Sequence, residues 1–246
     1  MLGEYRMEKL TERKYPIIDT EVPLKNIIIL FFLPIFIDLG LLSVNSYVTF
    51  TSYIQLWIFV GVIPLFLYLV SFVLVGKQPL RSLFQKIKIS DIGIAFFLLG
   101  LIFIYNLFSD QILAFINVIP TTNSAASGMA KGDIHQYGMN AIGDVFNLFN
   151  EEISSILTFL TSAAIVNRGF KLSRGLSFTI AMFFSVVIFG MMHFQSYSWN
   201  IPQMLISIGM LRFFFTPMYL RSGNILLPFM MHYIYDFSIF SLVFFS

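Results

Sequence analysis

Two adjacent carboxylates, Glu151 and Glu152, lie in a stretch of sequence that is otherwise largely apolar. The other four glutamates of the chain all fall within its first 21 residues. An ionisable group in an apolar segment is costly and is usually functional, and a carboxyl group placed there can act as a general base towards water. Capping of a helix start is the simpler interpretation, but the apolar run begins near Val145, more than one turn earlier. The pair therefore indicates hydrolytic chemistry.

Three further ionisable residues, His193, His232 and Asp236, lie in or beside apolar segments. His232 and Asp236 are four residues apart, so both project from one face of a helix. The two side chains could satisfy each other, and His193 could be an amphipathic residue at a membrane interface. Combined with the glutamates, they could instead activate water, either directly or through a divalent metal such as Zn.

The composition indicates that these groups are carried by a membrane protein. Of the 246 residues, 57% are hydrophobic and 11% are charged, whereas a soluble domain has about 25% charged residues. The absence of cysteine excludes a disulfide framework, a thiolate metal site and a cysteine nucleophile. The first 25 residues are polar and lack the apolar run of a secretory signal peptide.

Apolar runs long enough to cross a bilayer predict an all-α, polytopic transmembrane bundle of about seven spans. We divide the chain into a polar cytoplasmic N-terminal segment (1–25), N-terminal transmembrane helices with an outer loop (26–144), and core helices (145–246). The outer loop is placed at about 110–144. The predicted spans are about 27–44, 54–76, 92–109, 145–166, 176–193, 201–219 and 225–245.

The distribution of basic residues predicts the orientation. With the N-terminus inside, the outer segments contain only Lys131 and the inner segments contain nearly all other Lys and Arg residues, which is the positive-inside pattern. In that topology the ionisable residues of the fourth, fifth and seventh spans reach the outer half of the bilayer. We therefore expect them to share one water-filled cavity.

The same residues, in the same order, resemble the CPBP family of CAAX-protease and bacteriocin-processing intramembrane proteases, also called the Abi family. Its motifs are Glu-Glu-x-x-x-Arg, Phe-x-x-x-His and His-x-x-x-Asn/Asp on successive core helices. The resemblance covers about 145–240. The matching residues are Glu151-Glu152, Phe189 with His193, and His232 with Asp236.

The resemblance implies a role for each of these residues. Glu151 would activate the attacking water, Glu152 would position it or its partner, and His193 would hold the water or a metal. His232, with Asp236, would stabilise the tetrahedral oxyanion. Both a metal-dependent and a metal-free glutamate mechanism remain open at this point.

One position departs from the family pattern, because Ile156 stands where the family has arginine. Such an arginine would pair with a glutamate and fix its geometry. Arg212, in the sixth span, is a candidate partner, although the favoured interpretation is that it extends to the inner interface. Asn147 or Asn150 could donate instead. Two other buried polar residues, Asp38 and Asn106, are interpreted as helix–helix hydrogen-bonding groups.

The sequence thus favours an intramembrane endopeptidase acting on a small or membrane-associated peptide, in peptide processing or bacteriocin self-immunity. Its expected partners are the lipid bilayer and a peptide or membrane-protein substrate. Its basic residues lie next to the predicted spans, which is typical of orientation and anionic lipid and not of nucleic acid binding. We expect a multi-pass protein of a bacterial plasma membrane. The alternative is a non-catalytic scaffold, immunity or regulatory protein with a degenerate site, and a coupled transporter is a weaker third class.

Overall fold

The computed structural model describes residues 14–47, 52–124, 126–127 and 133–246. Regular structure in this part of the chain is helical, with one isolated β-bridge between Phe84 and Asn224. The helices are α1 (Leu24–Tyr47), α2 (Tyr53–Val75), α3 (Lys77–Arg81), α4 (Ile89–Phe115), α5 (Ile134–Ala164), α6 (Arg174–Met191), α7 (Ile201–Ser222) and α8 (Leu226–Phe245).

Each of the seven predicted spans corresponds to a long helix. Five of these helices, α2, α4, α6, α7 and α8, are long and apolar enough to cross a membrane. The chain is therefore an integral membrane protein with an all-α fold. The count of about seven spans and the orientation of the N-terminus stay predictions.

Helix α5 begins well before the predicted fourth span. Asp133 caps its N-terminus by accepting a hydrogen bond from the Gln136 backbone amide at 2.7 Å, and the helix runs for 31 residues. The predicted outer loop at 110–144 was therefore too long, because its polar residues after 133 occupy one face of a helix. Glu151 and Glu152 lie deep inside α5, which rules out helix capping as their role.

Helix α5 is the centre of the bundle and packs against α1, α2, α6 and α8. Ile153, Leu157 and Leu160 of α5 belong to one buried cluster, which includes residues of α1, α2 and α6. A second cluster joins α4, α7 and α8. Burial of apolar side chains between helices thus fixes α5 relative to the helices that carry the other ionisable residues.

The segment before α1 also packs against the bundle. Tyr15 and Ile17 are buried, and Arg174 forms a two-point ion pair with Asp19, with N–O distances of 3.0 and 2.9 Å. Arg168 donates to the backbone carbonyls of the same segment. Residues 14–23 of the predicted polar N-terminal segment therefore close one end of α5 and α6, while residues 1–13 lie outside the described residues.

Helices α6 and α7 cross at two glycines. A Cβ added at Gly190 would lie 2.8 Å from the Met204 carbonyl oxygen, and one added at Gly209 would lie 2.5 Å from the Val186 carbonyl oxygen. Around this crossing α7 changes from a π-helical turn to a 3-10 turn and then to an α-helix that begins at Arg212. The close approach holds His193 and Arg212 relative to each other, since each follows one of the two glycines by three residues.

We expect Gly209→Ala to lower the free energy of unfolding by about 1–3 kcal/mol, because the two helices must separate to admit a methyl group. Gly93→Ala on α4 is the matched control, since nothing lies within 4 Å of its added Cβ, and it should be neutral or stabilising by up to about 1 kcal/mol. Denaturant titration of the purified protein in detergent, followed by circular dichroism, measures both. Equal effects of the two substitutions would contradict a tight crossing.

Candidate active site

A cavity of about 600 Å³ lies among α1, α2, α5, α6 and the turn that follows α6. Its α5 wall is a polar stripe that includes Asp144, Asn147 and Glu151, which are three and four residues apart and so share one helical face. His193 and Ser185 lie on the opposite wall, and apolar residues of α1 and α2 complete the enclosure. The cavity can therefore hold water or a polar ligand within an apolar bundle.

Glu151 is the carboxylate of the pair that faces the cavity. Its side chain is 23% exposed, and its Oε1 accepts a hydrogen bond from Asn147 Nδ2 at 2.8 Å. Its Oε2 has no hydrogen-bond partner in the described part of the protein. That oxygen is thus buried, oriented by the other half of the carboxylate, and left with an unused acceptor.

His193 lies in the turn just after α6 and faces Glu151. Its Nδ1 is 2.9 Å from the Phe189 carbonyl oxygen, which can only accept, so Nδ1 carries the proton. In the neutral ring Nε2 is then an acceptor, and it lies 3.8 Å from Glu151 Oε2. Glu151 and His193 thus line the same cavity, as expected, and two acceptor atoms face each other across this short gap.

Glu152 points away from the cavity into a buried charge cluster, which consists of Glu152, Arg212, Thr216 and His232. Its Oε1 accepts from Arg212 Nη1 at 2.7 Å and lies 3.0 Å from His232 Nδ1. Arg212 also donates to Thr216 Oγ1 at 3.1 Å. Glu152 and Arg212 are fully buried and the His232 side chain is 4% exposed, so these charges are neutralised by one another.

Aromatic rings enclose the cluster. The Arg212 guanidinium carbon lies 5.1 Å from the centre of the Phe189 ring and 5.6 Å from that of Phe215. The His232 ring stacks on Phe215 with centroids 4.9 Å apart. Cation–π contacts in a desolvated site add to the ion pair. The interpretation that Arg212 extends to the inner interface is therefore wrong, because pairing with Glu152 satisfies its charge inside the bundle.

Asp236 lies one turn after His232 on α8, with its Oδ2 3.7 Å from His232 Nε2. The pair does not simply satisfy itself, since His232 makes its shorter contact with Glu152. The Asp236 side chain is 23% exposed. Neither His232 nor Asp236 lines the cavity, so the expectation that the ionisable residues of three spans share one cavity holds only for Glu151 and His193.

Part of the chain that carries these residues is similar to a known protein family. Residues 144–238 match the family described as type II CAAX prenyl endopeptidase Rce1-like. The predicted resemblance to the CPBP family is confirmed over this segment, and it supports a CAAX-type intramembrane protease at the level of the family. No curated protein and no solved structure matches the chain significantly.

The Rce1-like segment (144–238) contains every motif residue named above. Its one departure from the motif is Ile156, which stands in place of arginine, and Arg212 of the same segment supplies a guanidinium instead. Ile156 is fully buried in the apolar cluster around α5. The guanidinium comes instead from α7, where Arg212 reaches Glu152. The contact that the motif arginine is expected to supply is thus made from another helix.

Two carboxylates on the cavity wall were not assigned to the site from sequence. Asp38 of α1 accepts from Asn150 Nδ2 at 3.3 Å, so its interpretation as a helix–helix hydrogen-bonding group is confirmed, as is that of Asn106, which accepts from the Tyr235 hydroxyl. Asp144 was placed in the outer loop. The spacing of Asp144, Asn147 and Glu151 on one helical face would have identified it.

The donor set gives no support to a metal site. Within the described residues, no group of three or more His, Asp or Glu side chains has an arrangement that could hold a metal ion. Glu152 and His232, two of the candidate ligands, are engaged with each other and with Arg212. The residues present therefore do not fit the divalent metal considered from sequence.

We expect Arg212→Met to lower the free energy of unfolding by about 3–5 kcal/mol, because it leaves the buried Glu152 carboxylate without its cation. Adding Glu152→Gln should recover part of this loss, since a neutral amide replaces the unpaired charge. Lys86→Met, at an exposed position, is the control. Denaturant titration in detergent measures all three, and a loss no larger than that of the control would contradict the role of the cluster.

Proposed function

We propose that this protein is an intramembrane endopeptidase that hydrolyses a peptide bond in a small or membrane-associated peptide, with Glu151 as the general base. The observation that carries the proposal is the pair of acceptor atoms on the cavity wall. Glu151 Oε2 and His193 Nε2 lie 3.8 Å apart, and each is oriented by a hydrogen bond to the other end of its side chain.

A water molecule can donate one hydrogen to each of these two atoms. Its oxygen lone pair is then directed towards a peptide carbonyl carbon in the cavity. As the C–O bond forms, Glu151 takes one proton from the water. The same carboxyl group then gives a proton to the peptide nitrogen as the C–N bond breaks, which leaves a carboxylic acid and an amine.

The remaining motif residues act by positioning in this proposal. Glu152 is adjacent to Glu151 in the helix, and its contacts with Arg212 and His232 tie α5 to α7 and α8. Asp236 orients the His232 ring from its other side. This proposal differs from the roles implied by the resemblance, in which His232 and Asp236 contact the oxyanion, because His232 is buried beside Glu152.

The non-catalytic alternative depends on the missing arginine at position 156. Since Arg212 makes the corresponding contact with a glutamate of the pair, that argument for a degenerate site loses its basis. We propose peptide processing or bacteriocin self-immunity as the role, and a bacterial plasma membrane as the location.

Glu151→Gln should lower the turnover number at least about 100-fold, because the amide cannot accept the proton from water. A peptide library incubated with purified protein in detergent, and read by mass spectrometry, identifies a cleaved peptide for the assay. Glu21→Gln is the control and should retain full turnover, because Glu21 is exposed and lies before α1, outside the cavity. Undiminished cleavage by a folded Glu151→Gln protein would refute the proposal.

A further inference from the structure

Two carboxylates on the cavity wall have no part in the proposed proton transfer. Asp38 enters the cavity from α1. Asp144 enters from α5, about two turns before Glu151 on the same face of that helix. Asp38 interacts electrostatically with Glu151, and Asp144 interacts with Glu151 and Asp236. Like charges in a confined space repel, so this wall favours a positive group between them.

The described residues that line the cavity include no Lys or Arg. His193 is the sole imidazole among them, and it is oriented towards Glu151. Arg212, the nearby guanidinium, is committed to Glu152 behind the wall. Among the described residues, the carboxylates of the wall therefore have less positive charge around them than negative charge.

A second, independent observation points to a ligand that donates hydrogen bonds. Asn150 is 3% exposed, lines the cavity, and uses its Nδ2 to donate to Asp38. That bond leaves its Oδ1 as the free end, and this oxygen has no hydrogen-bond partner in the described part of the chain. A buried acceptor without a donor is costly, so a donor supplied by a ligand would stabilise it.

The rest of the wall matches the other part of a basic side chain. Pro34 and Ile35 of α1, with Leu56 and Val60 of α2, form an apolar surface beside Asp38. Lysine and arginine combine an apolar stem with a charged end, so the stem can pack on such a surface while the end reaches the carboxylates.

We propose that Asp38, Asp144 and Asn150 form a subsite for the ammonium or guanidinium group of a basic residue in the peptide substrate. The inference rests on the proposed function, because it places that basic residue next to the peptide bond that is attacked by the water bound to Glu151. Asp38 lies outside the Rce1-like segment, so α1 contributes to substrate choice while the segment contributes the proton transfer.

The test measures binding of two capped hexapeptides, identical except for lysine or norleucine at the third position, to the full chain in detergent by microscale thermophoresis. Norleucine keeps the apolar stem and removes the charge. The wild-type protein should bind the lysine peptide about tenfold more tightly, corresponding to one charge-assisted hydrogen bond. Asp38→Asn and Asp144→Asn should each bring the two affinities to within about threefold.

Asp110→Asn is the matched control, since Asp110 is exposed on α4 and does not line the cavity, and it should keep the wild-type preference. Two aspartates on different helices are tested because one variant could fail to fold, which circular dichroism detects. Equal affinities in the wild-type protein, including no binding of either peptide, would overturn the subsite. So would an unchanged preference in both folded aspartate variants.

Mass spectra of the same samples separate the two proposals. A lysine preference in binding without cleavage of any peptide would support the subsite and count against the endopeptidase. Cleavage with no preference between the two peptides would count against the subsite and leave the endopeptidase standing.

Discussion

The fold around the site depends on one buried carboxylate, Glu152, held between the guanidinium of Arg212 and the imidazole of His232. Glu152 Oε1 accepts from Arg212 and lies within hydrogen-bond distance of His232, so α5, α7 and α8 meet at a single oxygen atom. A buried ion pair is expensive to desolvate, and its geometry must be good for the attraction to compensate. Here the rings of Phe189 and Phe215 cover the guanidinium, which excludes water and limits the positions that the three helices can adopt.

That arrangement also explains why two neighbouring glutamates can have different tasks. Successive residues of a helix point about 100° apart, so fixing Glu152 towards α7 and α8 directs Glu151 towards α6 and the cavity. The first carboxylate is neutralised and immobile. The second lines the cavity, which the first does not, so of the two it is the one placed to act on a ligand there. The fixed position of Glu152 thus determines the direction of the Glu151 side chain.

Much of this could be predicted from sequence, because the signals are local. Long apolar runs located the seven long helices, and the spacing within three short motifs located Glu151, His193 and His232. The position of Arg212 could not be predicted in this way, because it depends on the contact of α7 with α5, and the hydropathy of a span does not show which side chains face a partner. Asp144 was missed for a different reason. Its polar neighbours lower the mean hydropathy, so a helix whose polar face lines a cavity has the composition of a loop.

The length of α5 has a consequence for how water reaches the cavity. At 31 residues the helix is about 46 Å long, which exceeds the roughly 30 Å of a hydrocarbon layer. Its polar side chains form a continuous row along the cavity, from Gln136 near the capped end to Thr158 beyond the glutamates. Such a row offers hydrogen-bonding partners to water along the whole length of the cavity, from the capped end of α5 to the glutamates.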